Sequence, residues 1–386
     1  MTNINEVVVI GAGQAGLSVG YQLKQRGVPF VILDANERVG DVWRNRWDSL
    51  RLFSPARFDG LAGMPFPAAK TSFPTKDEMA DFLATYAKRF ALPVETGVRV
   101  DRLTRSDSGF VVRAGTREIE ARQVVVAMSN FQTPKLPAFA SALDPRILQL
   151  HSVEYRNPGQ LRDGSVLIVG AGNSGAEIAI ELVKAGRKVA LSGNVPGVVP
   201  FRPQSFFGRH VFAPLTLGVV FHRVLRLDSP LGRKAAAAGR GQATPLIRVK
   251  PKDLRSAGVV MLPRVLGVKG REVLLENQQS FEPANVIWCT GFEPGFSWIH
   301  LPVFDERGLP IHRRGVVESE PGLYFTGLHY LYAMSSAQIH GAERDSAYVG
   351  DAIVRFVERR NSNPGREIPR NDASDHRSKR AAAMRG

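Results

Sequence analysis

VVVIGAGQAGLSVGYQL, residues Val7–Leu23, passes from a Val/Ile run into G-x-G-x-x-G and then into apolar residues at helical spacing. That order predicts strand, tight turn and helix. In such a turn Gly11 permits the bend, Gly13 lets the backbone approach a pyrophosphate, and Gly16 lets helix and strand pack closely. The helix start, Gln14 and Ala15, offers unpaired N–H groups and the positive end of the dipole. A second stretch, SVLIVGAGNSGAEIAIEL (Ser165–Leu182), repeats the arrangement with Gly170, Gly172 and Gly175. A single glycine pattern recurs in ordinary turns, but two in full strand-turn-helix context read as two dinucleotide cradles. The expected fold class is α/β, with two Rossmann-like dinucleotide-binding domains.

Bulk properties agree and exclude other classes. A chain of 386 residues suits two or three domains. It contains no apolar run of the roughly 18 residues a membrane span needs. The start, MTNINE, enters the first strand without the basic and apolar regions of a secretory signal, so a cytoplasmic protein is expected. Cys289 is the only cysteine, which removes any intramolecular disulfide or C-x-x-C redox couple and with it the flavin disulfide reductases. Histidines lack metal-ligand spacing, so no metal site is expected. The formal charge of +15 raises nucleic acid as a partner. About a third of that excess lies from Arg355 onward, where 361–386 reads as a disordered basic tail, so no specific nucleic-acid partner is expected.

Beyond the first cradle, Phe30–Leu33 predicts a strand ending at Asp34, about 20 residues past the glycines, where a carboxylate accepts hydrogen bonds from an adenosine ribose. GDVWRNRWDSLRLFSP, with two tryptophans, reads as a loop suited to a flat aromatic ring system. Lys76–Phe90 predicts a helix, Val124–Ala127 and Val286–Cys289 buried strands, and Asn157–Asp163 a crossover between domains. The strand after the second cradle ends in Ser192 and Asn194 instead of an acid, which removes the charge that would repel a 2′-phosphate and points to NADPH. Arg202 is the first basic candidate for that phosphate, with Arg187 and Lys188 next. The segment 203–252 is apolar with interspersed Arg and His, consistent with a lid over a substrate channel, a dimer face, a membrane-surface helix or buried core.

Together these features resemble the flavin-containing monooxygenase family in its compact bacterial form, over nearly the whole chain to about Arg360. GDVWRNRWDSLRLFSP resembles the family's G-G-x-W segment, GAGNSGAEIAIEL its NADPH motif, and CTGFEP its A-T-G-type connector. PGLYFTGLHYLYAMSSAQIHGAERDSAYVGDAI resembles the segment that closes over FAD. The resemblance implies FAD on the first cradle, with Trp43, Arg44, Val100, Gly327 and Gln338 lining it. It implies NADPH on the second, with Asn173 and Ser174, and Thr290, Gly291 and Phe292 at the connector. It divides the chain into 1–158 (FAD domain, first part), an inserted NADPH domain 159–283, and 284–360 (FAD domain, second part), and it implies a homodimer.

The chain also departs from the family pattern. In PRILQLHSVEY, His151 and Tyr155 match the identifying motif but Pro145 and Ile147 replace Phe and Gly, and Arg156-Asn157 lacks the ending of Baeyer–Villiger enzymes. Met128 and Ser129 alter the first connector, and Phe53 and Ser54 stand where animal members carry an Asn near the flavin.

The resemblance implies a monooxygenase: NADPH reduces the flavin, dioxygen forms a C4a-(hydro)peroxide, and a soft nitrogen, sulfur or carbonyl centre of a small molecule takes one oxygen atom. Ser54, Asn173, Ser174 and Gln132 are the candidate polar groups near the reacting rings. An NADPH oxidase or flavin reductase releasing peroxide is the alternative that keeps both cofactors. A non-catalytic nucleotide-sensing module is the alternative that drops the chemistry.

Overall fold

The computed structural model describes residues 4–129, 131–239 and 244–362. The basic tail expected from 361 onward therefore lies outside the described residues from 363 on, and the last described helix runs to Ser362.

Alternating burial along the first strand sets up the first layer. In β1 (Asn5–Ile10), Val7 and Val9 point to one face while Val8 and Ile10 point to the other, and all four are buried. A strand apolar on both faces must be covered on both, which is the condition of a doubly wound parallel sheet. The strands β2 (Phe30–Leu33), β3 (Val94–Glu95), β4 (Arg102–Ser106), β5 (Gly109–Ala114), β6 (Arg117–Val126) and β17 (Leu323–Phe325) complete this sheet. Its order is β3-β2-β1-β6-β5-β4, with β17 also on β6. Ten-residue β6 serves two pairings. Its first half is antiparallel to β5, and its second half runs parallel to β1 and β17.

One face of this sheet is covered by α1 (Gln14–Gln25), α3 (Lys76–Arg89) and α7 (Ala342–Ser362), through Leu17, Leu23, Met79, Phe82, Tyr86, Val349 and Ile353. Thr75 and Glu78 form a capping box at the start of α3, which fixes where that helix begins. Phe110, Phe296, Val303 and Phe325 pack on the opposite face.

The second sheet is entirely parallel, in the order β11 (Val260–Leu262), β10 (Val189–Ser192), β9 (Val166–Val169), β15 (Asn285–Trp288) and β8 (Leu148–His151). The helix α4 (Asn173–Lys184) packs on it through Ala176, Ile178, Ala179 and Leu182. The chain leaves the first sheet after β6 and returns to it at β17, so the second fold is an insertion. Its sheet takes β8 from before residue 159 and β15 from after residue 283.

Two short strands, β7 (Thr133–Pro134) and β16 (Phe292–Glu293), pair antiparallel where the chain crosses out and back. A three-stranded antiparallel unit of β12 (Val265–Lys269), β13 (Glu272–Leu275) and β14 (Ser280–Phe281) lies beside the second sheet. Three short helices complete the regular elements used below: α2 (Asp41–Arg44), α5 (Pro230–Gly239) and α6 (Pro251–Ser256).

The two units share packing. Trp47 and Leu50, from the tryptophan loop of the first unit, are buried in the same cluster as Tyr155, Ile168 and Ile178 of the second, and Trp43 packs against both cores.

Candidate active site

Both cradles have the predicted geometry. Gly11 and Gly170 take φ of +105° and +113°, a region that favours glycine. A Cβ on Gly16 would stand 1.8 Å from the Gly11 carbonyl oxygen, and one on Gly175 would stand 2.0 Å from that of Gly170, so neither position admits a side chain. A Cβ on Gly13 meets nothing within 4 Å, which leaves open space where a pyrophosphate would lie. The helices α1 and α4 begin after Gly13 and Gly172 with no side-chain cap and no acid in the first turn. Uncapped N–H groups with no competing carboxylate fit a dinucleotide's phosphates.

Asp34 is buried at the end of β2. It accepts the Ala12 N–H on Oδ2 at 2.5 Å, and the backbone and side-chain N–H groups of Asn36 on Oδ1 at 2.8 and 2.7 Å. This network holds the carboxylate against the glycine turn with one lone pair of Oδ2 left for a ribose hydroxyl. Val98 N–H donates to the Asp34 carbonyl, and Val100 is partly buried against the adjoining core. On the far side Gly327, with φ +75°, approaches Ala15 so closely that a Cβ on it would lie 2.9 Å from the Ala15 side chain. The C-terminal segment therefore closes on the first cradle, and Gln338 lies between two short 3-10 turns of that segment.

Several predicted residues have different occupations. The Asn173 amide is spent on the 244–247 segment: Nδ2 donates to the Pro245 carbonyl at 3.0 Å and Oδ1 accepts from Ile247 N–H at 2.9 Å. Gln132 is exposed and bonds the Ser129 carbonyl of its own loop. Arg44 is fixed by Asp81 at 2.7 Å, Asp41 and the Val39 carbonyl, which anchors α2 to α3. Thr290 Oγ1 donates to the Lys135 carbonyl across the connector.

Arg202 is paired with Asp253 at 2.7 Å, so its charge is already committed. Arg187 and Lys188 precede β10 and so sit at the end of that strand opposite the cradle; Arg187 bonds Asp163 and nearby carbonyls. Ser192 Oγ donates to the Pro263 carbonyl. Exposed Arg264 follows β11 directly beside the Ser192 end of β10, the end nearer the cradle, and was not singled out by the sequence, because its place depends on β11 pairing with β10.

His151 is buried and donates from Nε2 to the Gly291 carbonyl at 3.0 Å, while Nδ1 accepts from Val153 N–H. Burial lowers its pKa, and both ring nitrogens are used in the neutral form. The ring also packs on Phe292, which meets Phe131, which meets His329. His151 therefore clamps the crossing between the two units. Tyr155, four residues on, is fully buried and donates to Glu181 at 2.8 Å.

Neither Asp59 nor the pair Glu177 and Arg248 stands out in the sequence. Asp59 is completely buried. The Ser54 hydroxyl donates to its Oδ1, and its Oδ2 has no partner. Burial, opposed by that hydrogen bond, pushes its pKa up to about 8, so at pH 7 the carboxyl is neutral. Its neighbour Phe58 packs on His340, which packs on His222. Arg248 donates to the Leu52 carbonyl at 2.7 Å, stacks over Phe53 and pairs with Glu177 of α4, so the second unit grips the RLFSP loop of the first. Burial pushes Glu177 up to about 7 against the opposing pull of Arg248.

Among the described residues no cluster of His, Cys, Asp and Glu could hold a metal, and no helix is long and apolar enough to cross a membrane.

The sequence matches the pyridine nucleotide-disulphide oxidoreductase family over residues 8–198. It is 42% identical to the CzcO-like oxidoreductase of Geobacillus kaustophilus over 92% of this chain and 99% of that one. It is 27% identical to a probable indole-3-pyruvate monooxygenase of Arabidopsis thaliana, YUCCA3, over 84% of this chain and 82% of that protein. The fold superimposes on a flavin-containing monooxygenase from Stenotrophomonas maltophilia with a TM-score of 0.73 at 26% identity, covering 92% of this chain and all of that one.

Proposed function

Because the chain belongs to the CzcO-like oxidoreductases, within the flavin-dependent class, we propose that it is an FAD-dependent, NADPH-consuming monooxygenase. Its substrates are dioxygen and a small molecule with a soft nitrogen, sulfur or carbonyl centre. The observation that carries this reading is the presence of two separate uncapped pyrophosphate seats in a chain with one thiol. Cys289 is half-buried and its pKa is raised to about 12 by desolvation. Two nucleotides have places, and no cysteine pair receives the electrons. Departure from the disulfide reductases that share the family name follows from that arithmetic.

Bound FAD supplies hydride acceptance and oxygen activation. The chain's own work is to seat and orient. Gly11, Gly13 and Gly16 place one pyrophosphate on α1, Asp34 takes ribose hydroxyls, and Gly327 and Gln338 close that side. Gly170, Gly172, Ser174 and Gly175 place the other, with Arg264 toward the 2′-phosphate. Asn173 and Arg248 hold α4 and the 51–54 loop in register. Ser54 supplies polarity beside the rings, and its hydroxyl donates to Oδ1 of the completely buried Asp59, whose Oδ2 has no hydrogen-bond partner.

Peroxide formed per NADPH consumed tests this reading, measured with and without a panel of amines, thioethers and ketones. A substrate in that panel lowers the ratio well below one. Stoichiometric peroxide throughout, with every compound unchanged, would establish the oxidase reading instead.

A further inference from the structure

Residues 208–224 form a wide helical segment with i to i+5 hydrogen bonding, Gly208–Phe212 and Pro214–Val224, interrupted only at Ala213. One side of it faces the protein. Gly208 sits against the Arg202 and Pro203 carbonyls, Ala213 is buried, a Cβ on Gly218 would lie 3.6 Å from the Phe58 ring, and His222 hydrogen-bonds Ser335. Those positions are spaced five, five and four apart. The opposite side carries Phe207, Val211, Leu215, Val219 and Val224, spaced four, four, four and five, with Phe206 and Phe212 beside them. These side chains are exposed: Phe206 by 71%, Phe207 by 65% and Leu215 by 51%. Leu231 at the start of α5 adds a further 62%-exposed side chain. A contiguous apolar face of this kind on the outside of a globular chain marks a docking surface.

The charge around it chooses the occupant. No acidic residue occurs from Ser192 to Leu227, and the first one, Asp228, is paired with Arg226. Exposed Arg57, His210, Arg223, Arg233 and Lys234 frame the apolar face. A second copy would bring the same positive rim against itself. Anionic lipid satisfies both features at once, with acyl chains for the phenylalanines and phosphates for the rim.

We infer that the 206–224 helix is an interfacial anchor that docks on an anionic lipid surface. Its inner side touches Phe58, which packs on His340 beside the C-terminal segment that closes on the first cradle. Docking therefore places the lipid phase against the wall of the candidate active site, which suits a lipophilic substrate.

Vesicle flotation of the full-length chain tests this, with phosphatidylcholine vesicles with and without phosphatidylglycerol. The chain is expected to float with the anionic vesicles at low salt and to remain soluble with the neutral ones. Phe206→Ser with Phe207→Ser lowers partitioning on the order of a hundredfold, because two aromatic side chains no longer leave water. Arg223→Ser with Lys234→Ser lowers it about thirtyfold at low salt and much less at high salt. Both pairs lie on the surface, and unchanged melting temperatures confirm their folding. The basic C-terminal tail is intact in every variant, so flotation that survives the phenylalanine substitutions overturns the proposal. Absence of flotation with anionic vesicles also overturns it, as does a solution dimer that the same substitutions dissociate.

Discussion

Arg248 Nη1 hydrogen-bonds Glu177 Oε2 at 3.2 Å and lies equally close, off the hydrogen-bond axis, to Oε1. The two residues belong to the second unit, yet the other end of the same guanidinium holds the Leu52 and Arg51 carbonyls of the first. Substitution Arg248→Met should cost about 3 kcal/mol, because it strands a mostly buried carboxylate and two carbonyls. It should also slow flavin reduction by NADPH at least about tenfold through misplacement of the 51–54 loop. Glu177 already titrates near 7, and losing Arg248 raises it further. The folded state then takes up a proton as pH falls, so the deficit shrinks below pH 7. Thermal melts at pH 6 and 8, with and without Glu177→Gln, measure this. A deficit independent of both pH and Glu177 would refute the latch.

The two cradles can be separated by equivalent single substitutions. Gly→Ala inside a helix ordinarily stabilises by about 1 kcal/mol. Here the added methyl at residue 16 or 175 meets a carbonyl oxygen within 2.0 Å, and sterics win. Gly16→Ala is expected to purify without its yellow cofactor. Gly175→Ala is expected to keep that colour while its KM for NADPH rises at least tenfold. Flavin absorbance and steady-state kinetics distinguish the outcomes, and loss of flavin from both variants would contradict the division of labour.

The two cradles, each with its first strand and helix, and Asp34 were legible because each is encoded within about 30 consecutive residues, by period and by glycines that sterics demand. Residues whose role arises between distant segments were not. Arg202 looked free in sequence, but folding places Asp253 beside it, 51 positions on. Asn173 sits where a helix N-terminus faces a ligand, yet a loop more than 70 residues away claims its amide. Arg248 and Glu177 are likewise 71 apart. The 203–252 segment was ambiguous because an apolar run shows no outside until its inner side finds Gly208, Gly218 and His222.

Cofactor discrimination gives a further test. Arg264→Ala should raise the KM for NADPH tenfold or more and leave that for NADH nearly unchanged, since the lost partner is the 2′-phosphate alone. Arg202→Ala should alter both little, because its charge is spent on Asp253. Paired kinetics with the two cofactors decide between the residues, and a selective effect at Arg202 would reverse the assignment.

Asp59 carries the clearest pH signature. Its carboxyl holds its proton up to about pH 8 in the fold but loses it near 4 when unfolded, so between those values the native state binds the extra proton. Stability from this group is therefore full below pH 4 and declines as pH rises toward 8. Asp59→Asn keeps a donor at the same place and removes the titration. Its melting temperature should gain on the parent's progressively from pH 5 to 8. If the Oδ2 proton serves the reaction, the parent's coupling of NADPH oxidation to product should fall through pH 8 while that of the Asn variant stays flat. Asp59→Ala, with no donor, should release peroxide at every pH. Parallel melting and coupling profiles for parent and Asn variant across this range would show that Asp59 is ionised in the fold and has no such role.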